Sequence, residues 1–169
     1  PKKWRWAQIA AMILIVIVGI FVILNVHFGP PSIEPASVDK MAFPLPDRPS
    51  IAVLPFDNMS GDPKEDYFSD GLTEQIITSL SKYPRLFVIA RQSSFHYKDK
   101  PVKVQQVAEE LGVQYVLEGS VQKSGDQLRI TAQLIDALSG HHIWSERYDR
   151  ELKDIFDLQD DITINVMNN

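Results

Sequence analysis

The chain carries one long run of apolar residues near its start. Shorter apolar segments follow it, and their spacing alternates between that of a strand and that of a helix. Residues 9–24 are all apolar or glycine, and the run extends over residues 6–28 with three polar interruptions. A helix of this length spans a hydrocarbon core of about 30 Å. The run has no polar face, which disfavours a helix packed in a protein core. The pattern therefore predicts one transmembrane helix over residues 6–28, anchored in the lipid bilayer.

Basic residues flank this run on one side only. Lys2, Lys3 and Arg5 precede it, and the next base is Lys40. Because basic flanks stay in the cytoplasm, residues 1–5 are predicted to be cytoplasmic and the chain after the helix to lie outside the cytoplasm. The alternative is a cleavable signal peptide, which the length of the run and the lack of a small-residue cleavage site after it disfavour.

Proline dominates the next segment. Residues 29–49 hold six of the eleven prolines, with almost no apolar periodicity. Proline favours an extended backbone, so these residues are predicted to form a semi-rigid stalk. An ordered loop packed on the following domain is the alternative for residues 41–45.

From residue 50 onward the pattern alternates between strands and helices. Residues 50–56 and 86–90 are short apolar runs, typical of strands buried on both faces. Apolar residues at helical spacing predict helices over residues 67–82 and 102–111. The remaining predicted elements are three strands and a closing helix, at residues 115–121, 127–135, 142–148 and from 154 onward. Residues 50–169 are therefore predicted to form an α/β domain with a mixed sheet, in the order β-α-β-α-β-β-β-α.

Charge and composition exclude several classes of function. The net charge is −5, but residues 1–28 carry +3, so residues 29–169 carry −8. Such an acidic domain lacks the clustered bases that nucleic-acid binding requires. The chain has no cysteine, which excludes thiol nucleophiles and thiolate zinc sites. It also lacks the common glycine-rich phosphate-binding, nucleophile-elbow and zinc-protease motifs.

The strongest candidate for chemistry is an acid-rich loop after the first strand. Its carboxylates are Asp57, Asp62, Glu65, Asp66 and Asp70. The loop fails the EF-hand pattern, because Met59 and Gly61 stand where oxygen ligands are needed. Asp66 or Asp70 is instead expected to place negative charge at the start of the first helix. We predict no catalytic, cofactor-binding or metal-binding residue, and a periplasmic hydrolase or metal-dependent enzyme using residues 57–70 is the alternative.

Histidines and aromatic residues give weaker signals. His141 and His142 are adjacent, so on a strand they point to opposite faces and cannot hold one ion together, and His96 is isolated. Trp144 and Tyr148 share one face of the last strand. A half-buried core edge is favoured for this pair over a peptide-binding stripe.

Long segments of the predicted domain are similar, in the same order, to those of a known bacterial family. They include SIAVLPFDNMSGDP, EDYFSDGLTEQIITSLS, LFVIARQSSFHYK and VAEELGVQYVLEGSVQKSGDQLRITAQLIDALSGHHIWSERYDRELKDIFDLQDDI. Together they closely resemble the TolB-like (FlgO-like) extracytoplasmic domain of bacterial signalling proteins. Short recurring motifs lie at residues 54–56, 70–71, 118–120 and 144–149. Gly71 and Gly119 within them are expected to allow close backbone approach, and Arg147 with Asp149 to form surface or interface ion pairs.

The resemblance implies a fold similar to the amino-terminal domain of TolB, after one transmembrane helix and before tetratricopeptide repeats. It further implies a cytoplasmic class III adenylate or guanylate cyclase, or a winged-helix DNA-binding domain, before the helix. The chain begins at Pro1 and ends without a helix-stop signal, so a longer protein is expected. The expected function is that of a non-enzymatic sensor or protein-interaction domain at the inner membrane. Its expected partners are periplasmic proteins and a second copy of the chain, with no nucleic acid bound by this part.

Overall fold

The computed structural model describes Met12 and residues 34–169. The predicted transmembrane helix and cytoplasmic flank, apart from Met12, therefore lie outside the described residues. Within the described part of the chain, no helix combines the length and apolar character that crossing a membrane requires. The fold described below is that of the unit Ile33–Asn169.

Six strands in the described residues form one mixed sheet. They are β1 (Ser50–Val53), β2 (Asp57–Asn58), β3 (Phe87–Val88), β4 (Tyr115–Ser124), β5 (Gln127–Asp136) and β6 (His141–Glu151). The order across the sheet is β3-β1-β4-β5-β6, and β2 pairs with β4 beyond the end of β1. Pairs that involve β1, β2 or β3 are parallel, whereas β4, β5 and β6 form an antiparallel meander. The predicted mixed sheet is confirmed, with β2 as an additional short strand.

Four helices pack on this sheet in the described residues. They are α1 (Asp66–Ser81), α2 (Arg91–Phe95), α3 (Val104–Leu111) and α4 (Ile155–Asn168), with single 3-10 turns at Val38–Lys40, Pro63–Glu65 and Leu152–Asp154. The predictions of α1, α3 and α4 are confirmed to within two residues, and the five-residue α2 was not predicted. α3 ends at Gly112, whose backbone is left-handed with φ +64°, a conformation that glycine adopts without strain.

The two faces of the sheet carry different layers. α1 and α4 cover one face and form the larger core, which includes Ile76, Leu80, Leu117, Ile130 and Ile162, all at most 1% exposed. On the other face α3 packs its buried residues against the start of β4 and β1. Further along β4 that second face carries polar residues that stay partly exposed.

Two predicted strands are shorter in the structure. The strand predicted over residues 50–56 ends at Val53, because the Phe56 N–H donates to Thr73 instead of to a neighbouring strand. Residues 86–90 were expected to form a strand buried on both faces, but only Phe87–Val88 are extended and Phe87 is 36% exposed. The physical reason is position, because β3 lies at the edge of the sheet and pairs with β1 alone. The guanidinium of Arg48 lies 5.6 Å from the Phe87 ring centroid and covers part of it.

The described end of the predicted stalk lies against the domain. We call residues 34–43 the strap. The Ala36 N–H donates to the Ala137 carbonyl at 2.6 Å, and the Ala42 N–H donates to the Glu109 carbonyl at 2.8 Å. The Ser37 N–H donates to the Glu109 side chain at 2.9 Å, and Ala36 is buried in the smaller core. The strap is therefore part of the folded unit, where the sequence predicted an extended stalk.

Candidate functional site

Four of the five carboxylates of the acid-rich loop, all except Asp57, are held by groups of this same chain. Asp62 accepts from the Lys64 backbone N–H at 2.9 Å, and Asp66 accepts from the Asn58 side chain at 2.6 Å. Glu65 forms an ion pair with Lys123 at 2.9 Å. Asp66 begins α1 as predicted. In residues 34–169 no group of three or more histidines and acids is positioned to hold a metal ion.

The histidines of the described domain lie at its surface, and the aromatic pair lies at the edge of the core. His141 and His142 are exposed at the start of β6, and the ring of His96 lies 3.4 Å from the Lys100 ammonium. Tyr148 is 3% exposed in the larger core, with Trp144 half-buried beside it. Burial raises the pKa of Tyr148 to about 12. The interpretation of this pair as a core edge is confirmed.

A groove with a volume of about 780 Å³ opens where β1 ends. It is lined by residues 54–59, by the first turns of α1, by the loop of residues 97–102, by residues 118–120 of β4, and by Thr131 and Gln133 of β5. In open α/β sheets ligands bind at the carboxyl ends of parallel strands. The groove therefore lies where a ligand-binding site is expected for this architecture, and it is the candidate functional site.

Residues 54–56, which connect β1 to β2, form one wall of the groove. After β1 the Phe56 N–H leaves the ladder and donates to Thr73 Oγ1 at 3.0 Å. Thr73 in turn donates to the Ser69 carbonyl at 2.9 Å, which ties the wall to α1. A Cβ on Gly119 would lie 2.5 Å from the Phe56 ring, so the predicted close approach at Gly119 is confirmed. The same prediction for Gly71 is wrong, because a Cβ there meets nothing within 4 Å.

Two acids in the groove differ in how they are compensated. Asp70 accepts from the Lys98 ammonium at 2.5 Å. Glu118 lies on the polar part of β4, and its pKa is raised, first by burial and then by the charge of Asp57, while His142 lowers it. Burial penalises the charged form of a carboxyl group, which is why its pKa rises. The sequence indicated Asp70, but Lys98 and Glu118 were missed as members of the site.

The predicted ion pair of the WSERYD motif lies outside this groove. Arg147 lies 3.4 Å from Asp149, which also pairs with Arg129 at 2.7 Å. All three side chains are at least half exposed. The arginines hold the pKa of Asp149 below its usual range, chiefly through the hydrogen bond from Arg129.

Comparison with known proteins assigns the described domain to a family. Residues 47–165 match the second domain of HilA/YgeH-like transcriptional regulators. The chain belongs to this family. Over 124 residues it is also 60% identical to a protein of Rhizobium meliloti (strain 1021) named putative adenylate cyclase 3. That match covers 73% of this chain and 21% of the relative, so the chain spans about a fifth of the curated relative's length.

Solved structures share the fold of this HilA/YgeH-like second domain. TolB from Acinetobacter baumannii superposes with a TM-score of 0.51 at 19% identity, over 73% of this chain and 28% of TolB. The lipoprotein GNA1162 from Neisseria meningitidis gives a TM-score of 0.50 at 18% identity, over 71% of this chain and 96% of the lipoprotein. The TolB-like fold that the sequence motifs indicated is confirmed.

Proposed function

We propose that this unit is a non-enzymatic extracytoplasmic interaction domain of a single-pass inner-membrane signalling protein, and that it regulates a cyclase domain in the cytoplasm. The observation that carries the proposal is the 60% identity to a protein named putative adenylate cyclase, of which the matched segment is only 21%. The rest of such a protein has room for a catalytic domain. The matched segment is then an accessory domain.

The site geometry supports a binding role over a catalytic one. Asp62, Glu65 and Asp66 of the acid-rich loop each have a partner within the chain, so the loop is a structural element that shapes one side of the groove. The groove itself has the size of a small-ligand or peptide site. Recognition of a ligand or protein segment is the chemistry that these residues serve.

The proposed location follows from the apolar run and its flanks. Three bases precede residues 6–28 and none follows before Lys40, which favours a cytoplasmic amino terminus. The domain then lies in the periplasm. The folds of TolB and of a lipoprotein support this place for it.

A receptor with one membrane helix passes a signal by changing how two copies associate. Cyclases of the class that the resemblance implies form their active sites between two chains. A partner bound to the periplasmic domain changes cyclase output only if it binds one association state more tightly than the other. We therefore propose periplasmic protein partners and a regulated homodimer.

The test uses the full-length protein in cells. Residues 50–169 are deleted in frame, and cyclic nucleotide output and crosslinked dimer yield are measured across growth conditions. The matched control is Asp160→Asn, which changes an exposed acid on α4 outside the groove. Deletion is expected to change both readouts and the control neither. Unchanged output and dimer yield after deletion would contradict a regulatory role.

Location is tested separately with reporter fusions after Pro49. A reporter that works only in the periplasm is expected to be active, and one that works only in the cytoplasm inactive. The reverse result would place the domain in the cytoplasm. It would exclude the periplasmic part of the proposal while leaving the fold and the groove unaffected.

The family match supports a second candidate for the output. The matched domain is described for transcriptional regulators, so the cytoplasmic partner domain can bind DNA instead of making a cyclic nucleotide. The same deletion, assayed by promoter output, distinguishes the two. A change in transcription without a change in cyclic nucleotide favours the regulator.

A further inference from the structure

The charged residues that line the groove are unbalanced. Five are acids, namely Asp57, Asp66, Asp70, Asp99 and Glu118, and two are bases, Lys98 and Lys100. The net charge of the lining is therefore −3 at neutral pH. Low-dielectric walls focus such a field and raise the local concentration of cations. Charge alone indicates only which sign of ligand the groove attracts.

The groove already holds one ammonium group of its own. Lys98 extends from the loop after α2 and places its Nζ 2.5 Å from Asp70 Oδ2, and both side chains are less than one third exposed. This contact shows that an ammonium group fits against the first turns of α1. It uses only one oxygen of the Asp70 carboxylate.

Two polar atoms next to this ion pair have no partner within residues 34–169. Asp70 Oδ1 and Ser69 Oγ are buried, and no group in this part of the chain forms a hydrogen bond with either atom. Ser69 is only 2% exposed, and both residues line the groove. Buried polar atoms are normally hydrogen-bonded, so an unpaired acceptor beside a groove indicates a missing donor. This observation is independent of the charge balance.

Glu118 supplies the counter-charge on the other side. It lies on the part of β4 that α3 leaves uncovered, and no hydrogen bond or ion pair of its carboxylate occurs among the described residues. Burial raises the pKa of Glu118, and the charge of His142 offsets this rise only in part. A cation near Glu118 would offset that cost.

We propose that the groove binds a ligand through an ammonium or guanidinium group, with Glu118 as its counter-ion and with Ser69 and Asp70 as acceptors for a second donor of the ligand. The volume of about 780 Å³ accommodates a ligand much larger than one ammonium ion. The cation can belong to a free diamine or to a lysine or arginine side chain of a partner. This inference names a ligand class and does not depend on the proposed signalling role.

The test measures binding to the whole chain in micelles of a non-ionic detergent. The probes are 1,4-diaminobutane and the end-blocked peptide Gly-Gly-Lys-Gly-Gly, each beside its fully N-acetylated form, in which every amino group has lost its positive charge. Binding is followed by calorimetry and by the amide resonances of residues 118–120. The diamine and peptide arms distinguish a free ligand from a side chain.

The chain offers three informative variants. Glu118→Gln is expected to weaken binding about tenfold or more, because a charge-assisted contact is lost. Lys98→Met is expected to strengthen it several-fold, since it frees Asp70 from a competing ammonium. Asp160→Asn, outside the groove, should leave binding unchanged. High salt should weaken the interaction in the unmodified chain.

Several outcomes would overturn the inference. These are failure of both charged probes to bind, equal binding of the acetylated forms, or equal effects of Glu118→Gln and Asp160→Asn. If the amide spectrum shows that Glu118→Gln misfolds, the exposed Asp57→Asn replaces it, with a smaller loss expected. None of these outcomes alters the deletion experiment, so failure of the groove and failure of the signalling proposal remain distinguishable.

Discussion

The Phe56 ring occupies the space that a side chain at Gly119 would need. A Cβ built on Gly119 would lie 2.5 Å from Cε2 and 2.8 Å from Cζ of this ring, and it would also meet the Thr131 carbonyl oxygen. The ring is 3% exposed and belongs to the larger core. The contact between Gly119 of β4 and the Phe56 ring therefore shapes both the wall of the groove and the larger core.

Gly119→Ala is therefore expected to destabilise the domain by about 1–3 kcal/mol through overpacking. The control is Gly71→Ala in α1, where a Cβ meets nothing within 4 Å. That change should stabilise the helix by about 0.5–1 kcal/mol. Denaturant unfolding of both variants measures the difference, and equal stabilities would contradict the packing assigned to Phe56.

Thr73 links the wall of the groove to α1, because its hydroxyl accepts from the Phe56 N–H. Thr73→Val keeps the shape and leaves that buried N–H without an acceptor, so a loss of about 1–3 kcal/mol is expected. Thr73→Ser keeps the hydroxyl and should cost less. Denaturant unfolding measures the free energy of unfolding of both variants. A smaller loss of stability for Thr73→Val than for Thr73→Ser would exclude the hydrogen bond as the cause.

Glu118 should make the stability of the domain fall as the pH rises. Its pKa is raised in the folded state by burial, so the folded state keeps the proton to a higher pH than the unfolded state. Stability decreases with pH wherever the folded state binds more protons. The loss therefore begins at the unfolded pKa of about 4.3 and is complete above the raised folded value.

Glu118→Gln cannot ionise and should remove this loss. The variant is expected to gain stability relative to the parent chain as the pH rises from 3.5 to neutral, with little difference at the acidic end. Thermal melts across this range, with Asp160→Asn as the control, measure it. A difference that is independent of pH would show that the effect comes from packing rather than ionisation.

Glu109 holds the strap through its side chain as well as its backbone. Glu109→Ala removes the acceptor of the Ser37 N–H, so hydrogen exchange at Ser37 should become about tenfold faster or more, as expected for local opening. Glu109→Gln keeps an acceptor oxygen and should change the rate less. Exchange at Ala42, which uses the Glu109 carbonyl, is the internal reference. Unchanged Ser37 exchange in the alanine variant would contradict this attachment.

Long periodic segments were the part of the fold that the sequence could predict. The helical spacing of Leu158, Ile162 and Val166 predicted α4. The alternating apolar residues of β5 predicted its inner face, and they are Leu128, Ile130, Ala132 and Leu134. All seven residues are buried. The two-residue β2 and the five-residue α2 are too short to carry a period. Their existence depends on pairing with β4 and on packing against β1.

The site was only partly predictable, because its members are distant in sequence. Asp70 pairs with Lys98, 28 residues away, and Glu65 pairs with Lys123, 58 residues away. Neither partner is visible from the acid-rich loop itself, so the loop resembled a cluster of uncompensated carboxylates. Glu118 was missed for another reason, since it is a single acid within a predicted strand and nothing in its neighbourhood in sequence points to the groove.

The topology of the sheet has a consequence for the order in which the chain folds. The antiparallel strands β4, β5 and β6 pair with their immediate neighbours in sequence, and such hairpins form in about 1–10 μs. β1 pairs with both β3 and β4, and the pairing with β4 is the more distant in sequence, since Ser50 shares a hydrogen bond with Gln114, 64 residues away. At a synthesis rate of about 5–20 residues per second, β1 emerges roughly 3–13 s before β4. Because residues that follow β1 and residues of β4 both line the groove, the groove is completed only when these two distant strands have paired.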